Sequence, residues 1–141
     1  MPVRVHSSVW FQPTQRWPFI TSLIDDCFHN HKDCERRGRP FLPSRCIDIG
    51  MSEEDNIRVI HPVSEVGRYA CLSHCWGTLG PATRLTKTSL RSLSQGLSIS
   101  QLPKTFRDAV VVCQALGISY IWIDALCKFF TITFYKREAQ Q

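Results

Sequence analysis

The residue types best suited to chemistry lie in two short segments of this 141-residue chain. Ser73, His74 and Cys75 are adjacent, and Asp124 follows an apolar run further along the sequence. A hydroxyl or thiol, an imidazole and a carboxylate are the ingredients of nucleophilic catalysis. The alternative interpretation is structural: Cys71 and Cys75 would be small core residues, and His74 would form a local hydrogen bond.

Strand geometry limits the catalytic interpretation, because adjacent residues of a strand point to opposite faces of the sheet. His74 can therefore activate its neighbours only if the strand has already ended. A third interpretation makes the segment a polar binding edge, since the Asp124 carboxylate after an apolar strand needs a partner or water. Gly77 would turn the chain at this edge, where Trp76 either covers the site or packs.

A second group of candidates has the residue types of a metal site. On a helix, Cys27 and His31 are four positions apart, and His31 and Cys34 are three apart, so one face would present three ligands. A structural zinc site needs a fourth ligand, which Cys46 or His61 would have to supply. No CxxC pair is present, and Cys27 and His31 continue an apolar stripe, so burial without metal is the alternative and no cofactor is expected.

Two strands and a helix must position the first group of residues. Residues 69–75 are uncharged and mostly apolar, which is typical of a strand covered on both faces. Pro103 and Gly117 bracket an apolar pattern of helical spacing, and residues 118–123 read as a buried strand. Strand, crossover helix, strand is the order of a βαβ unit, so the strands should be parallel and their carboxyl ends should meet. Ligands of open α/β sheets bind at that edge.

The remaining pattern predicts an α/β fold with a partly parallel sheet flanked by helices. Residues 1–18 read as an irregular lead-in, and an amphipathic helix over 19–31 begins after Pro18. Residues 45–49 and 57–60 predict two strands that pair as a hairpin. A short helix should close near Gly96.

Composition excludes several classes of protein. Hydrophobic residues make up 43% of the chain and charged residues 21%, so wholesale disorder is excluded. No apolar run approaches the ~18 residues of a spanning helix, and the N-terminus lacks the apolar region of a secretory signal. We therefore expect an intracellular protein with reduced thiols. The net charge of +5 comes from basic residues scattered through 61–141, so no nucleic-acid partner is expected.

Three blocks of the sequence resemble a known family. They are Tyr69-Ala70-Cys71-Leu72-Ser73-His74-Cys75-Trp76-Gly77, Leu102-Pro103-Lys104-Thr105-Phe106-Arg107-Asp108-Ala109 and Tyr120-Ile121-Trp122-Ile123-Asp124-Ala125-Leu126-Cys127. In order and spacing they are similar to the heterokaryon incompatibility (HET) domain of filamentous fungi. Upstream, Cys27, His31 and Cys34 and the segments 42–45 and 57–59 also resemble it, so the resemblance covers most of residues 20–127.

The resemblance implies a cytoplasmic signalling and interaction module. In the family, activation triggers programmed cell death when genetically unlike fungal cells fuse, a form of non-self recognition. The family fold has been likened to Toll/interleukin-receptor (TIR) domains, which implies a TIR-like or Rossmann-like three-layer architecture. Because some TIR domains cleave NAD, an NAD-cleaving enzyme acting at the carboxyl edge of the strands is the alternative, although no activity is expected from this fragment.

Under that alternative, polar residues of the matching blocks would act on NAD as substrate. The residues that would contact the dinucleotide are Ser73, Trp76, Gly77 and Asp124. The catalytic candidates are Asp124, His74, Ser73 and Glu138.

The sequence departs from the family pattern in two places. Ser89 stands where the family has Asn before a leucine. After Cys127 the family continues with a hydrophobic-Gln-Asp segment and a helix bearing Trp and Glu. Here residues 128–134 read Lys-Phe-Phe-Thr-Ile-Thr-Phe instead, and only 135–139 resemble that helix. We therefore interpret 19–127 as the N-terminal part of a HET-like domain that is incomplete at its C-terminus. Residues 128–141 would be an atypical tail from a truncated gene model, and partner contacts or self-association would use the missing region.

Overall fold

The computed structural model describes residues 13–32, 40–50, 56–76 and 83–129. The chain divides into two units, Met1–Gly38 and Arg39–Gln141. Each unit is described by itself below.

The first unit contains helix α1, Pro13–Asn30. Pro13 takes the first helical position, where the missing N–H of proline costs nothing. The predicted helix start after Pro18 was wrong, because Pro18 lies inside the helix. The predicted apolar stripe is only partly covered: Ile24 is half-buried, whereas Leu23 is exposed.

The described strands of the second unit form one mixed five-stranded sheet. They are β1 Cys46–Asp48, β2 Asn56–Ile60, β3 Tyr69–Leu72, β4 Leu97–Ser98 and β5 Tyr120–Ile123. Their order across the sheet is β3-β5-β1-β2-β4. β3 and β5 are parallel, whereas the other three neighbouring pairs are antiparallel.

Strand register confirms two of the sequence predictions. β1 and β2 form the expected hairpin pair, with Asp48 opposite Arg58. β3 and β5 run parallel with Leu72 opposite Ile123, as the βαβ order requires. The predicted α/β class with a partly parallel sheet is therefore confirmed.

The position of β3 was not foreseen. β3 lies at the edge of the sheet and ends at Leu72, three residues before the predicted end. Cys71 is exposed, and Tyr69, Ala70 and Leu72 are only half-buried. The prediction of a strand covered on both faces was wrong, because an edge strand has less of the fold packed around it than a central strand has.

Three helices complete the second unit: α2 Leu90–Gln95, α3 Lys104–Ala115 and α4 Asp124–Cys127, with a 3₁₀ turn at Ile99–Gln101. α3 buries Phe106, Val110 and Cys113, as its spacing predicted. Gly96 follows α2 and Gly117 follows α3, both with positive φ, so each helix ends as predicted. Ile47, Ile121 and Leu126 are among the fully buried residues of the core. Across the described ranges, no helix is long and apolar enough to cross a membrane.

Candidate functional site

The candidate site lies where the two parallel strands end. Leu72 and Ile123 are paired at the ends of β3 and β5, so the chain continues from neighbouring points into Ser73 and Asp124. Asp124 is the first residue of α4. The predicted meeting of the two polar segments at one edge of the sheet is therefore confirmed.

The Asp124 carboxylate is held by two hydrogen bonds. The indole N–H of Trp76 donates to Oδ2 of Asp124 at 3.0 Å, and the backbone N–H of Ala125 donates to Oδ1 at 2.7 Å. The Asp124 side chain is 29% exposed. A carboxylate that leaves an apolar strand needs such donors, and Trp76 thus has a polar contact as well as packing.

His74 is the buried member of this cluster. Its side chain is only 10% exposed, and its ring meets the Phe106 ring edge-on, with centroids 5.0 Å apart and planes at 89°. Nδ1 lies 3.7 Å from Oδ1 of Asp124, within reach of an ion pair but beyond the usual hydrogen-bond distance. Among the described residues, neither ring nitrogen has a hydrogen-bond partner. We call His74, Trp76 and Asp124 the strand-end cluster.

The structure separates His74 from the nucleophile candidates beside it. Because β3 ends at Leu72, strand alternation no longer keeps His74 from its neighbours, yet neither ring nitrogen is bonded to Ser73 or Cys75. Ser73 and Cys75 are both exposed. The interpretation of Cys71 and Cys75 as core residues was wrong, because both side chains face solvent near the edge of the sheet.

Helix α4 is held by residues from three other segments of the chain. Besides the Trp76 bond, the backbone N–H of Leu85 donates to the Ala125 carbonyl at 2.7 Å. Nε of Arg45 donates to the Cys127 carbonyl, also at 2.7 Å. The role of Arg45 was not predicted, since nothing in its sequence neighbourhood indicates a partner 82 positions away.

Two thiols near α4 are kept protonated by their surroundings. Burial raises the pKa of Cys127 to about 11, and burial together with the nearby Cys127 raises the pKa of Cys46 to about 12. Since the thiolate is the nucleophilic form, these two residues are inert at neutral pH.

The structure describes two of the three predicted metal ligands. Cys27 is half-buried and His31 is exposed on α1, while Cys34 lies outside the described residues. Within the described ranges, no group of three or more His, Cys, Asp or Glu side chains could hold a metal ion. Two other candidates, Gly77 and Glu138, also lie outside the described residues.

A polar cavity of about 280 Å³, which the sequence did not predict, lies elsewhere in the sheet unit. Nε and Nη2 of Arg58 donate to Oδ2 of Asp48 at 3.1 and 3.0 Å in its wall, and Gln95 and Gly96 line it from the end of α2. The opposite charges of Asp48 and Arg58 in the predicted hairpin were the available signal. None of the three residues of the strand-end cluster lines this cavity.

The fold and the site define a mixed α/β domain with a hydrogen-bonded polar cluster at the carboxyl ends of a parallel strand pair. Residues 69–128 match the model of a family described as heterokaryon incompatibility protein (HET). This match confirms the resemblance over the segment that contains the strand-end cluster, whereas the upstream residues that resemble the family lie outside it. No curated protein and no solved structure matches the chain.

Proposed function

We propose that the chain acts as a HET-type signalling and interaction module in fungal non-self recognition and programmed cell death. The observation that carries the proposal is the strand-end cluster: residues from the first and third family-like blocks meet through the Trp76–Asp124 hydrogen bond. The family match spans both blocks, which supports a shared role for them.

We further propose that the module acts in the cytoplasm, through protein partners or through self-association. The basic residues of its second half support a protein partner over a nucleic acid, because Arg84, Lys87, Arg91, Lys104 and Arg107 are separately exposed and no aromatic-basic motif accompanies them.

Induced expression in a filamentous fungus tests this function. Growth arrest and loss of membrane integrity are expected for the chain in its full-length gene context, and Asp124→Asn should abolish both because it weakens the acceptor for Trp76. Asp108→Asn is the matched control, since Asp108 is a 61% exposed carboxylate paired only along its own helix with Lys104. If wild type and Asp124→Asn caused the same cell death, the strand-end cluster would have no role in it.

The second candidate function is NAD cleavage at the same edge of the sheet. The partly exposed carboxylate of Asp124 beside the Trp76 indole supports it, because an acidic and an aromatic group together suit a nucleoside with hydroxyl groups. The purified full-length protein, incubated with NAD, would release nicotinamide, and Asp124→Asn would stop the release. A protein that kills cells without releasing nicotinamide would leave only the signalling function.

A further inference from the structure

The polar cavity beside β1 and β2 carries one negative and one positive charge in its wall. Asp48 and Arg58 lie opposite each other on these antiparallel strands, and Nη2 of Arg58 donates to Oδ2 of Asp48 at 3.0 Å. The Asp48 side chain is 20% exposed and the Arg58 side chain 61% exposed, and both line the cavity. Because each charge lies beside its opposite, the cavity suits neither a simple anion nor a simple cation.

The ion pair leaves part of each charged group unused. A guanidinium has five N–H donors, and Asp48 accepts only from Nε and Nη2 of Arg58. Oδ1 of Asp48 accepts one hydrogen bond, from the Gly50 backbone N–H at 3.0 Å, although a carboxylate oxygen can accept more than one. Donors at the end of the guanidinium and an acceptor site on the carboxylate therefore remain for a ligand.

Two carboxamides line the same cavity from different elements. Asn56 begins β2 and Gln95 ends α2, and both residues are exposed. Neither side chain has a hydrogen-bond partner among the described residues. A primary carboxamide donates through its nitrogen and accepts through its oxygen, so it suits a ligand that carries both donors and acceptors.

Size and composition narrow the class of ligand further. The cavity holds about 280 Å³, just below the range of about 300–1,000 Å³ typical of ligand pockets, so it suits a small ligand. No aromatic side chain is among the described residues that line it, which disfavours a ligand that binds by stacking on a ring. A small zwitterion fits instead, because its two charged groups can align with the opposite charges of Arg58 and Asp48.

We propose that this cavity binds a free α-amino acid in its zwitterionic form. The ligand carboxylate accepts from the unused end of the Arg58 guanidinium, in the bidentate geometry typical of arginine and carboxylate. The ligand ammonium donates to Oδ1 of Asp48, and the carboxamides of Asn56 and Gln95 supply further donors and acceptors. The inference goes beyond the proposed function, because the cavity and the strand-end cluster share no residue.

NMR titration of the ¹⁵N-labelled full chain with L-serine tests the site. The backbone amide signals of Gly50 and Gly96, which line the cavity, should shift, whereas that of Gly117 at the end of α3 should stay constant. A Kd of about 1 mM or lower is expected for a ligand of this size. N-acetyl-L-serine lacks the ammonium and L-serinamide lacks the carboxylate, so each should bind about tenfold more weakly or worse. Equal affinity for either analogue, or no shift with L-serine, overturns the proposal.

Arg58→Lys separates binding from stability. Lysine keeps the positive charge opposite Asp48 but lacks the planar donor pair, so the affinity for L-serine should fall about tenfold while the melting temperature changes little. Arg107→Lys is the matched control, because Arg107 is exposed on α3 and does not line the cavity. If Arg58→Lys fails to fold, Gln95→Ala changes an exposed carboxamide and should weaken binding several-fold. Unchanged affinity in the variant that folds, or an equal loss in Arg107→Lys, overturns the proposal.

Discussion

The indole of Trp76 and the carboxylate of Asp124 are joined by a hydrogen bond of 3.0 Å, although they lie 48 positions apart in the chain. The bond ties the residues that follow an edge strand to the first residue of α4. Strand pairing holds the two segments together only as far as Leu72 and Ile123, and the hydrogen bond joins the residues that follow.

Removal of the Asp124 carboxylate should lower the stability of the fold measurably. We expect Asp124→Ala to lower the free energy of unfolding by about 1.5–3 kcal/mol, because it removes a charged acceptor from two donors, one of them the Trp76 indole. Asp108→Ala removes an exposed carboxylate and should cost less than about 1 kcal/mol. Urea denaturation of both variants measures the difference, and equal losses would show that the part-buried Trp76–Asp124 bond contributes no more than an exposed ion pair.

The turn after α2 should tolerate only glycine. Gly96 has φ of 126° and ψ of 137°, a conformation that side chains with a Cβ rarely adopt. We expect Gly96→Ala to cost about 1–3 kcal/mol from backbone strain alone, since a Cβ there meets nothing within 4 Å.

Gly67→Ala separates that strain from crowding. Gly67 does not have a positive φ, and a Cβ there would lie 3.4 Å from Cδ2 of Leu42. Its cost should stay below about 1 kcal/mol, and thermal or urea unfolding compares the two variants. A larger loss for Gly67→Ala than for Gly96→Ala would contradict the backbone explanation.

Thiol reactivity should divide the cysteines by exposure. Cys71 and Cys75 are exposed, so a maleimide should label them rapidly in the folded protein. Cys46, Cys113 and Cys127 are buried, and burial raises the pKa of each, so their labelling should wait for unfolding. Mass spectrometry of labelled peptides at successive times measures both classes. Rapid labelling of Cys46 would show that the core opens more easily than its packing indicates.

Stability should fall at alkaline pH. The folded state raises the pKa of Cys46 to about 12 and that of Cys127 to about 11, against an ordinary value of 9.0. The thiols of the unfolded chain ionise first, so the free energy of unfolding is unaffected below pH 9 and decreases as the pH rises towards the folded values. Each thiol contributes a slope of at most about 1.4 kcal/mol per pH unit.

The Cys127→Ala variant isolates that contribution from other groups that titrate in the same range. Its unfolding free energy should decrease less steeply with pH than that of the wild type, by up to one thiol's slope. Denaturation curves on both sides of pH 9 give the two slopes. Parallel slopes would mean that ionisation of Cys127 is not linked to unfolding.

Much of the sheet unit was predictable because its signals are local. Pro103 and Gly117 bracket α3 in the sequence as they do in the structure, and alternation predicted the β1–β2 hairpin. The edge position of β3 was not predictable, because the order of strands depends on pairings between distant segments and an uncharged run reads as buried wherever it lies. The predicted helix start after Pro18 was wrong for a different reason. A proline is typical of a first helical turn, but here Pro13 begins the helix and Pro18 lies inside it.

The site was predictable in its location but not in its bonds. Parallel strands place Ser73 and Asp124 at one edge, whatever their side chains do. Beyond a strand end, however, no periodicity determines where a side chain points. The burial of His74 and the choice of Trp76 as the partner of Asp124 therefore emerged only from the structure.

The three hydrogen bonds that hold α4 also determine how late the site forms during folding. Its partners Arg45, Trp76 and Leu85 lie far upstream, with Arg45 82 positions from its acceptor. Contacts across such long loops carry a closure entropy that local helix formation avoids, so they form late along the folding pathway. The Trp76–Asp124 bond is therefore expected to form after the local contacts of α3, and its presence marks the assembly of this edge of the sheet.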